Sequence, residues 1–137
     1  MKLIRFNNNN TERCGILEGD RIAVLAGDMF GGLPARTGEI IALQAVRILP
    51  PVRPSKIVAV GLNYLDHIEE FKHPVPKEPC IFLKPPTAVI GHQDDIMIPP
   101  LSKRVDYEAE LAIVIGRKCK NIAPAETAGC ILGYTCL

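Results

Sequence analysis

Two glutamates that could share a metal ion lie in the segment Asp106 to Ile115, with the sequence DYEAELAIVI. If this segment is a β-strand, its period of two places Glu108 and Glu110 on one face, roughly 6–7 Å apart. Two flexible side chains at that spacing can converge on one cation. Ligands that are all oxygens favour Mg²⁺, Mn²⁺ or Ca²⁺ over zinc or copper, and Mg²⁺ suits few carboxylates plus substrate and water.

The rest of that strand face is apolar or small, with Ala112, Val114 and Gly116 following the two glutamates at the same period. Ionised carboxylates at the end of a buried face are costly unless they have a partner, which favours a metal site. The alternative is an edge strand whose acidic end projects into solvent and opposes aggregation.

A histidine and a glutamate form the second candidate group. A short helix is expected from Asn63 to Phe71, with Asn63 as its N-cap, and His67 and Glu70 are then neighbours at i and i+3. The pair has the composition of a general base with an orienting carboxylate, which stabilises the imidazolium formed when water loses a proton. The alternative is a solvated helix face that carries both residues for solubility.

Lys84 is a third candidate, because it ends an apolar segment and precedes two prolines. A cation fixed there could pair with a substrate carboxylate or an oxyanion. An ordinary lysine at a strand end is the alternative. His73 and His92 have no comparable neighbours in the sequence, and no role is predicted for them.

The elements that position these residues are mostly short strands. Residues 1–50 predict a small β module, residues 51–55 a proline-rich connector, and residues 56–137 a second domain. The predicted strands are Leu3–Phe6, Cys14–Leu17, Arg21–Leu25, Lys56–Gly61 (buried), Cys80–Lys84, Ile96–Ile98 and Asp106–Ile115. A second short helix is expected after Pro124 and before Gly133. The fold class is therefore mainly β, or α+β.

Charge and composition exclude several classes of partner. Sixteen basic and fifteen acidic residues give a net charge of +1, so no strong field draws the chain to nucleic acid. No apolar segment approaches the ~20 residues that a membrane span needs, and the N-terminus has no signal-peptide pattern. We therefore expect a cytoplasmic protein. Its five scattered cysteines, none spaced as C-x-x-C, predict reduced, buried thiols rather than disulfides or a zinc site.

Four segments together resemble the fumarylacetoacetate hydrolase family in order and spacing. They are VGLNYLDHIEE (residues 60–70), FLKPPT (82–87), DYEAEL (106–111) and GYT (133–135). The resemblance covers roughly residues 56–137. It implies a mixed β-sandwich roll that normally forms homodimers, with residues 1–50 as the variable N-terminal module.

The resemblance also implies roles for individual residues. Glu108 and Glu110 match two carboxylate ligands of Mg²⁺, or of Mn²⁺ or Ca²⁺, and His67 with Glu70 matches a water-activating dyad. Lys84 matches a substrate-contacting lysine, and Asn63 and Tyr64 belong to the same substrate-binding motif. Asp106 stands where relatives vary and is not counted as a ligand.

The activity implied by the resemblance is metal-dependent hydrolysis of a C–C bond in a small 2-oxo acid, of the acylpyruvate or fumarylacetoacetate type, through a stabilised enolate. Isomerisation of 2-hydroxydienedioates and decarboxylation use the same enolate, and a non-catalytic paralogue or scaffold is the alternative from another class. In relatives a third ligand, an aspartate, follows the Gly-Tyr-Thr motif, whereas this sequence ends at Leu137. We therefore expect an incomplete roll with weak Mg²⁺ binding and low stability.

Overall fold

The computed structural model describes all residues from 1 to 137. The chain forms nine strands: β1 (Lys2–Asn8), β2 (Thr11–Glu18), β3 (Arg21–Leu25), β4 (Arg36–Ala42), β5 (Arg47–Leu49), β6 (Ile57–Gly61), β7 (Cys80–Lys84), β8 (Leu111–Ile115) and β9 (Ile131–Cys136). Its one α-helix is α1 (Leu65–Glu70), and 3-10 helices cover Leu43–Ala45, Pro86–Ala88 and Pro124–Cys130. The mainly β class is confirmed. None of its helices could span a membrane.

An antiparallel five-stranded sheet, in the order β4-β3-β2-β1-β5, contains the first five strands. Asn9 and Asn10 connect β1 to β2 and both have positive φ values, of 49° and 62°, as a type I′ hairpin turn requires. Gly19 has a φ of 64° in the turn between β2 and β3, where the sequence predicted a tight turn. The first three predicted strands are confirmed, each lying within or matching an observed strand.

Strand β4 was not expected from the sequence, because its pattern is interrupted. Gly38 has a φ of 87°, and the pairing of β3 with β4 shifts register between Ala23 and Leu25. A bulge of this kind breaks the strict alternation by which a strand is recognised. The outer strand is also rich in charge, and its Glu39 pairs with Arg13 across the sheet.

The hydrophobic core lies on both faces of this sheet. On one face Phe6, Ile22 and Val24 are completely buried. The other face buries a second cluster, made of Cys14, Ile16, Ala23, Leu25 and Met29, against which Leu132 packs. Strand β3 contributes to both clusters because successive side chains of a strand point to opposite faces of the sheet.

The chain divides into two compact units, which are residues 1–52 with 90–137, and residues 53–89. Within the first unit, Arg47 joins the two chain segments through an ion pair of 2.6 Å with Asp94. Asp94 also accepts a hydrogen bond of 2.8 Å from the Gly91 N–H. The sequence analysis divided the chain once, at the connector of residues 51–55, and that division into domains stays a prediction.

The second unit contains the hairpin of β6 and β7, with α1 in the connection between them. Ile57 lies opposite Lys84 at one end of the ladder, and Gly61 lies opposite Cys80 at the other. Both strands were predicted from their apolar sequences. The expected burial of the first strand was wrong, because it has a single neighbouring strand and Val58 keeps 56% of its surface exposed.

Strands β8 and β9 form a two-stranded antiparallel ladder. Only the second half of the predicted strand Asp106–Ile115 is regular, and the backbone before Leu111 is irregular except at Glu110. The Glu110 N–H donates to the Leu137 carbonyl at 3.0 Å, and the Leu137 N–H donates to the Glu110 carbonyl at 2.9 Å. This pair extends the ladder by one residue.

Two other expectations for this half of the chain also needed correction. Residues 96–98 form no strand, and Ile96 is 71% exposed. The helix after Pro124 is of the 3-10 type and ends at Cys130, while Gly133 lies inside β9. The Glu126 side chain supports its first turn by accepting a hydrogen bond of 2.8 Å from the Ala123 N–H.

Candidate active site

Helix α1 carries the histidine and glutamate that were predicted as a dyad. The helix begins one residue later than expected, because Tyr64 occupies the N-cap position with extended backbone angles. The assignment of Asn63 as the cap was therefore wrong. Leu62, immediately before it, has a positive φ of 52°, so the chain turns sharply between β6 and the helix. Ile68 is the buried anchor of the helix.

The structure brings His67 and Glu70 together on one side of this helix. The Nδ1 atom of His67 lies 3.5 Å from a carboxylate oxygen of Glu70. The two side chains are 50% and 71% exposed, respectively, so the pair is open to solvent and to a small molecule. If Nδ1 carries a proton toward Glu70, Nε2 is the nitrogen that can take a proton from water.

The three predicted substrate-binding residues occupy different places in the same unit. Asn63 lines a shallow concavity of about 280 Å³, bounded by the start of α1 and the loop before β7. Tyr64 is 47% exposed beside it. Lys84 ends β7, and its ammonium group lies 5.9 Å from the centre of the Phe82 ring, within range of a cation–π contact.

The two candidate metal ligands belong to the other compact unit. Glu110 is partly buried and continues the partly buried face of β8, which holds Ala112 and Val114. Glu108 is exposed and lies in irregular backbone. The two-residue period of a strand therefore does not place Glu108 on the same face as Glu110. No three His, Cys, Asp or Glu side chains among residues 1–137 are grouped as a metal site.

These two carboxylates fit part of a hard-cation site. Mg²⁺ and Mn²⁺ prefer oxygen ligands, and one or two protein carboxylates with substrate and water oxygens are a common Mg²⁺ set. Both glutamates also take part in other interactions, so a cation would compete with the present partners of Glu108 and Glu110.

Sequence reasoning assigned no role to Phe71, whose ring contacts that of His67, or to His73, whose ring stacks on Phe71. The Phe71 ring lies 4.8 Å from the His67 ring, at 67°, and 6.5 Å from the His73 ring, at 12°. The i, i+4 spacing of His67 and Phe71 was the available signal, since residues so spaced meet on a helix.

Comparisons with known proteins agree with the fold. The model of the family described as fumarylacetoacetate (FAA) hydrolase C-terminal matches residues 56–137. A model described as Rv2993c-like, N-terminal, matches residues 1–51. Human mitochondrial oxaloacetate tautomerase FAHD2A is 44% identical over 97 residues, which are 70% of this chain and 31% of that protein.

Two crystal structures have the same fold over 99% of this chain. That of 5-carboxymethyl-2-hydroxymuconate delta-isomerase from Mycobacterium smegmatis has 41% identity, a TM-score of 0.87, and 53% of its own chain covered. Maleylpyruvate hydrolase from Sphingobium sp. SYK-6, in complex with manganese(II) and pyruvate, has 29% identity, a TM-score of 0.74, and 57% of its chain covered. The chain thus spans about half the length of these solved relatives.

The match to residues 56–137 covers more than half of the chain, and the relatives named above are enzymes: a tautomerase, an isomerase and a hydrolase. The resemblance carried by the four sequence motifs is therefore confirmed, and the chain belongs to the fumarylacetoacetate hydrolase family.

Proposed function

We propose that the chain provides the water-activating part of a divalent-metal-dependent hydrolase that cleaves a C–C bond in a small 2-oxo acid of the acylpyruvate or fumarylacetoacetate type. The observation that carries this proposal is the contact of 3.5 Å between His67 Nδ1 and Glu70 on an accessible helix face. A hydrolase has to deprotonate water at the scissile carbonyl, and a histidine oriented by a carboxylate is the common protein group for that step.

Hydrolysis of an acylpyruvate consumes one water molecule and begins at His67. His67 takes a proton from water, and the hydroxide adds to the distal carbonyl carbon. The bond from that carbon to the methylene breaks, and its electron pair passes to the 2-oxo acid as an enolate. The enolate takes this proton back from the imidazolium of His67 to give pyruvate, and the other product is a carboxylic acid. Glu70 stabilises the imidazolium of His67 during this sequence.

Glu108 and Glu110 are the residues that would hold the cation, which is Mg²⁺ or Mn²⁺ in this proposal. When bound, such a cation supplies Lewis-acid stabilisation of negative charge. The support is the oxygen chemistry of the two side chains, together with the manganese in the complex of the Sphingobium hydrolase. Lys84 is proposed to pair with the substrate carboxylate, while Asn63 and Tyr64 contact the substrate.

Isomerisation is the second candidate, and it is favoured by the comparisons rather than by the dyad. The relatives named as a tautomerase and an isomerase are 44% and 41% identical to this chain, against 29% for the hydrolase. Moving a proton between carbon and oxygen requires an acid–base group but no cleavage. Decarboxylation would use the same enolate, and a non-catalytic scaffold would do neither.

The test uses the 137-residue chain with Mn²⁺ and acetylpyruvate, a small acylpyruvate, in D₂O, and follows products by NMR. Hydrolysis predicts acetate and pyruvate at a rate that His67→Asn abolishes, whereas the matched control His92→Asn leaves it unchanged. Faster deuterium exchange at the methylene than in a blank, without cleavage, would replace hydrolysis by tautomerisation. No acceleration of either reaction would favour the non-catalytic alternative.

The homodimer and the cytoplasmic location expected from the sequence also stay proposals. Support for self-association comes from the exposed apolar face of β8, where Leu111, Ile113 and Ile115 keep 53–63% of their surface accessible. Large exposed apolar faces commonly mark contact surfaces. Analytical ultracentrifugation would show a concentration-dependent dimer, and a monomer throughout would contradict the proposal.

A further inference from the structure

Two of the five cysteines, Cys119 and Cys130, lie in contact beside the ladder of β8 and β9. Cys119 is exposed in the connection that follows β8, whereas Cys130 is 2% exposed and ends the 3-10 helix Pro124–Cys130. The Cys119 side chain hydrogen-bonds to Cys130, and this bond is the main cause that raises the pKa of the Cys119 thiol. An accessible thiol therefore lies directly against a buried one, and both are free.

Neighbouring contacts hold the two cysteine-bearing segments side by side. The Gly116 N–H, one residue after β8, donates to the Cys130 carbonyl at 2.8 Å. A Cβ atom on Gly129 would lie 3.3 Å from a guanidinium nitrogen of Arg117. The segment that leaves β8 thus runs along the end of the 3-10 helix, and it brings Cys119 to Cys130.

The Cys130 thiol is also fixed from within its own helix. Its Sγ atom donates a weak hydrogen bond of 3.9 Å to the carbonyl of Glu126, earlier in the same helix. Glu126 is itself anchored, since its carboxylate accepts a hydrogen bond of 2.8 Å from the Ala123 N–H. A dissolved oxidant therefore reaches Cys119 first, because oxidation follows exposure and Cys130 is covered.

We propose that Cys119 and Cys130 form a reversible redox pair, which a peroxide converts into a disulfide that fastens the connection after β8 to the start of β9. Thiols already in hydrogen-bonding contact need only a small movement to reach the roughly 2 Å of an S–S bond. The redox pair is independent of the proposed function, because neither cysteine belongs to the dyad or to the candidate metal ligands.

The oxidation uses one hydrogen peroxide and both thiols. The Cys119 sulfur, as its thiolate, attacks a peroxide oxygen, so that an S–O bond forms, the O–O bond breaks and water leaves with the thiol proton. The Cys130 sulfur then attacks the Cys119 sulfenic acid. The S–S bond forms, the S–O bond breaks, and hydroxide leaves with the Cys130 proton as a second water. The two thiols together lose two electrons, and the peroxide is reduced to water.

The disulfide closes a loop from residue 119 to residue 130, which restricts the unfolded chain. For a loop of this length in a unit of roughly 100 residues, oxidation should raise the melting temperature by roughly 5–15 °C. Cys136 offers a matched control, because it is exposed and lies opposite Leu111, at the far end of the same ladder.

The test exposes the full 137-residue chain to hydrogen peroxide, blocks the remaining thiols, and maps the cysteine pairs by mass spectrometry. We expect a disulfide between Cys119 and Cys130 within one chain, which dithiothreitol reduces. The Cys136→Ser control should form the same disulfide. In Cys119→Ser, a change at an exposed position, Cys130 should stay reduced at the same dose of peroxide.

A second variant, Cys130→Ala, checked for folding by circular dichroism, should leave Cys119 as a sulfenic acid that dimedone traps. Oxidation of Cys119 to a sulfinic acid in the wild-type chain, while Cys130 stays reduced, would overturn the proposal. Pairing of Cys119 with Cys136 or with a second chain, in place of Cys130, would do the same. An oxidised chain that melts no higher than the reduced chain would overturn the fastening of the two segments.

Discussion

Replacing Gly116 by alanine should destabilise the ladder of β8 and β9, which carries Glu110. A Cβ atom at this position would lie 2.9 Å from the Leu132 Cβ and 3.1 Å from its Cα and N atoms. Two of these three atoms are backbone, so the clash cannot be relieved by a side-chain rotation. The Gly116 N–H also bonds to the Cys130 carbonyl at 2.8 Å, and this bond would be strained by any shift.

The expected cost follows from two opposing terms. Forcing a methyl group into a filled space costs about 1–3 kcal/mol. Removing a glycine from the unfolded chain returns about 0.4–1 kcal/mol, which leaves a net destabilisation of about 1–2 kcal/mol. In a unit of roughly 100 residues this lowers the melting temperature by roughly 5–15 °C.

Gly133→Ala is the matched control, because it lies in the same ladder and a Cβ there meets no atom within 4 Å. Thermal unfolding followed by circular dichroism should show a lower melting temperature for Gly116→Ala, and no loss or a small gain for Gly133→Ala. Equal melting temperatures for the two variants would refute the packing argument. The expected low stability of the chain would itself be contradicted by a sharp cooperative transition of a monomer.

Three further predictions concern the helix end, acid stability and the thiols. Lys72→Gly should stabilise the chain by about 0.5–1 kcal/mol in urea unfolding, because it relieves the left-handed backbone, and an equal gain from Lys72→Ala would contradict this. The Arg47 guanidinium and the Gly91 N–H hold the pKa of Asp94 below its ordinary value of 3.8. The contribution of Asp94 to stability is therefore present above that value and is lost as the pH falls through the lowered pKa. The difference in melting temperature between wild type and Asp94→Asn should shrink below about pH 4. A difference that stays constant with pH would contradict this prediction. A thiol reagent should label the exposed Cys80, Cys119 and Cys136 in the native chain. The buried Cys14, whose pKa is raised by burial, and the buried Cys130 should react only after unfolding. Simultaneous labelling of all five would contradict the structure.

Short-range signals explain why much of the fold could be predicted. Strand β3 alternates between two buried clusters, and the apolar segments of β6 and β7 are bounded by glycine or proline, so local pattern and observed structure agree. The dyad was predictable for the same reason, since the i, i+3 geometry of a helix depends on sequence spacing alone.

Features that depend on distant parts of the chain could not be predicted. The segment Asp106–Glu110 has the alternating pattern of a strand, but the backbone of Glu110 alone extends the ladder, by pairing with Leu137, and the backbone of residues 106–109 is irregular. Burial of the cysteines was also expected from residue type, yet Cys80, Cys119 and Cys136 are exposed. The stacking of Phe71 on His73 spans the left-handed residue Lys72, which no propensity of lysine indicates.

The assignment of Glu108 and Glu110 as metal ligands can be measured by calorimetric titration of Mn²⁺ into the wild-type chain, the double variant Glu108→Gln with Glu110→Gln, and the control Asp106→Asn. We expect a binding heat for the wild type and the control that disappears in the double variant, because the two glutamates supply the protein oxygens. Binding by the double variant that equals the wild type, or no binding by the wild type, would contradict this assignment.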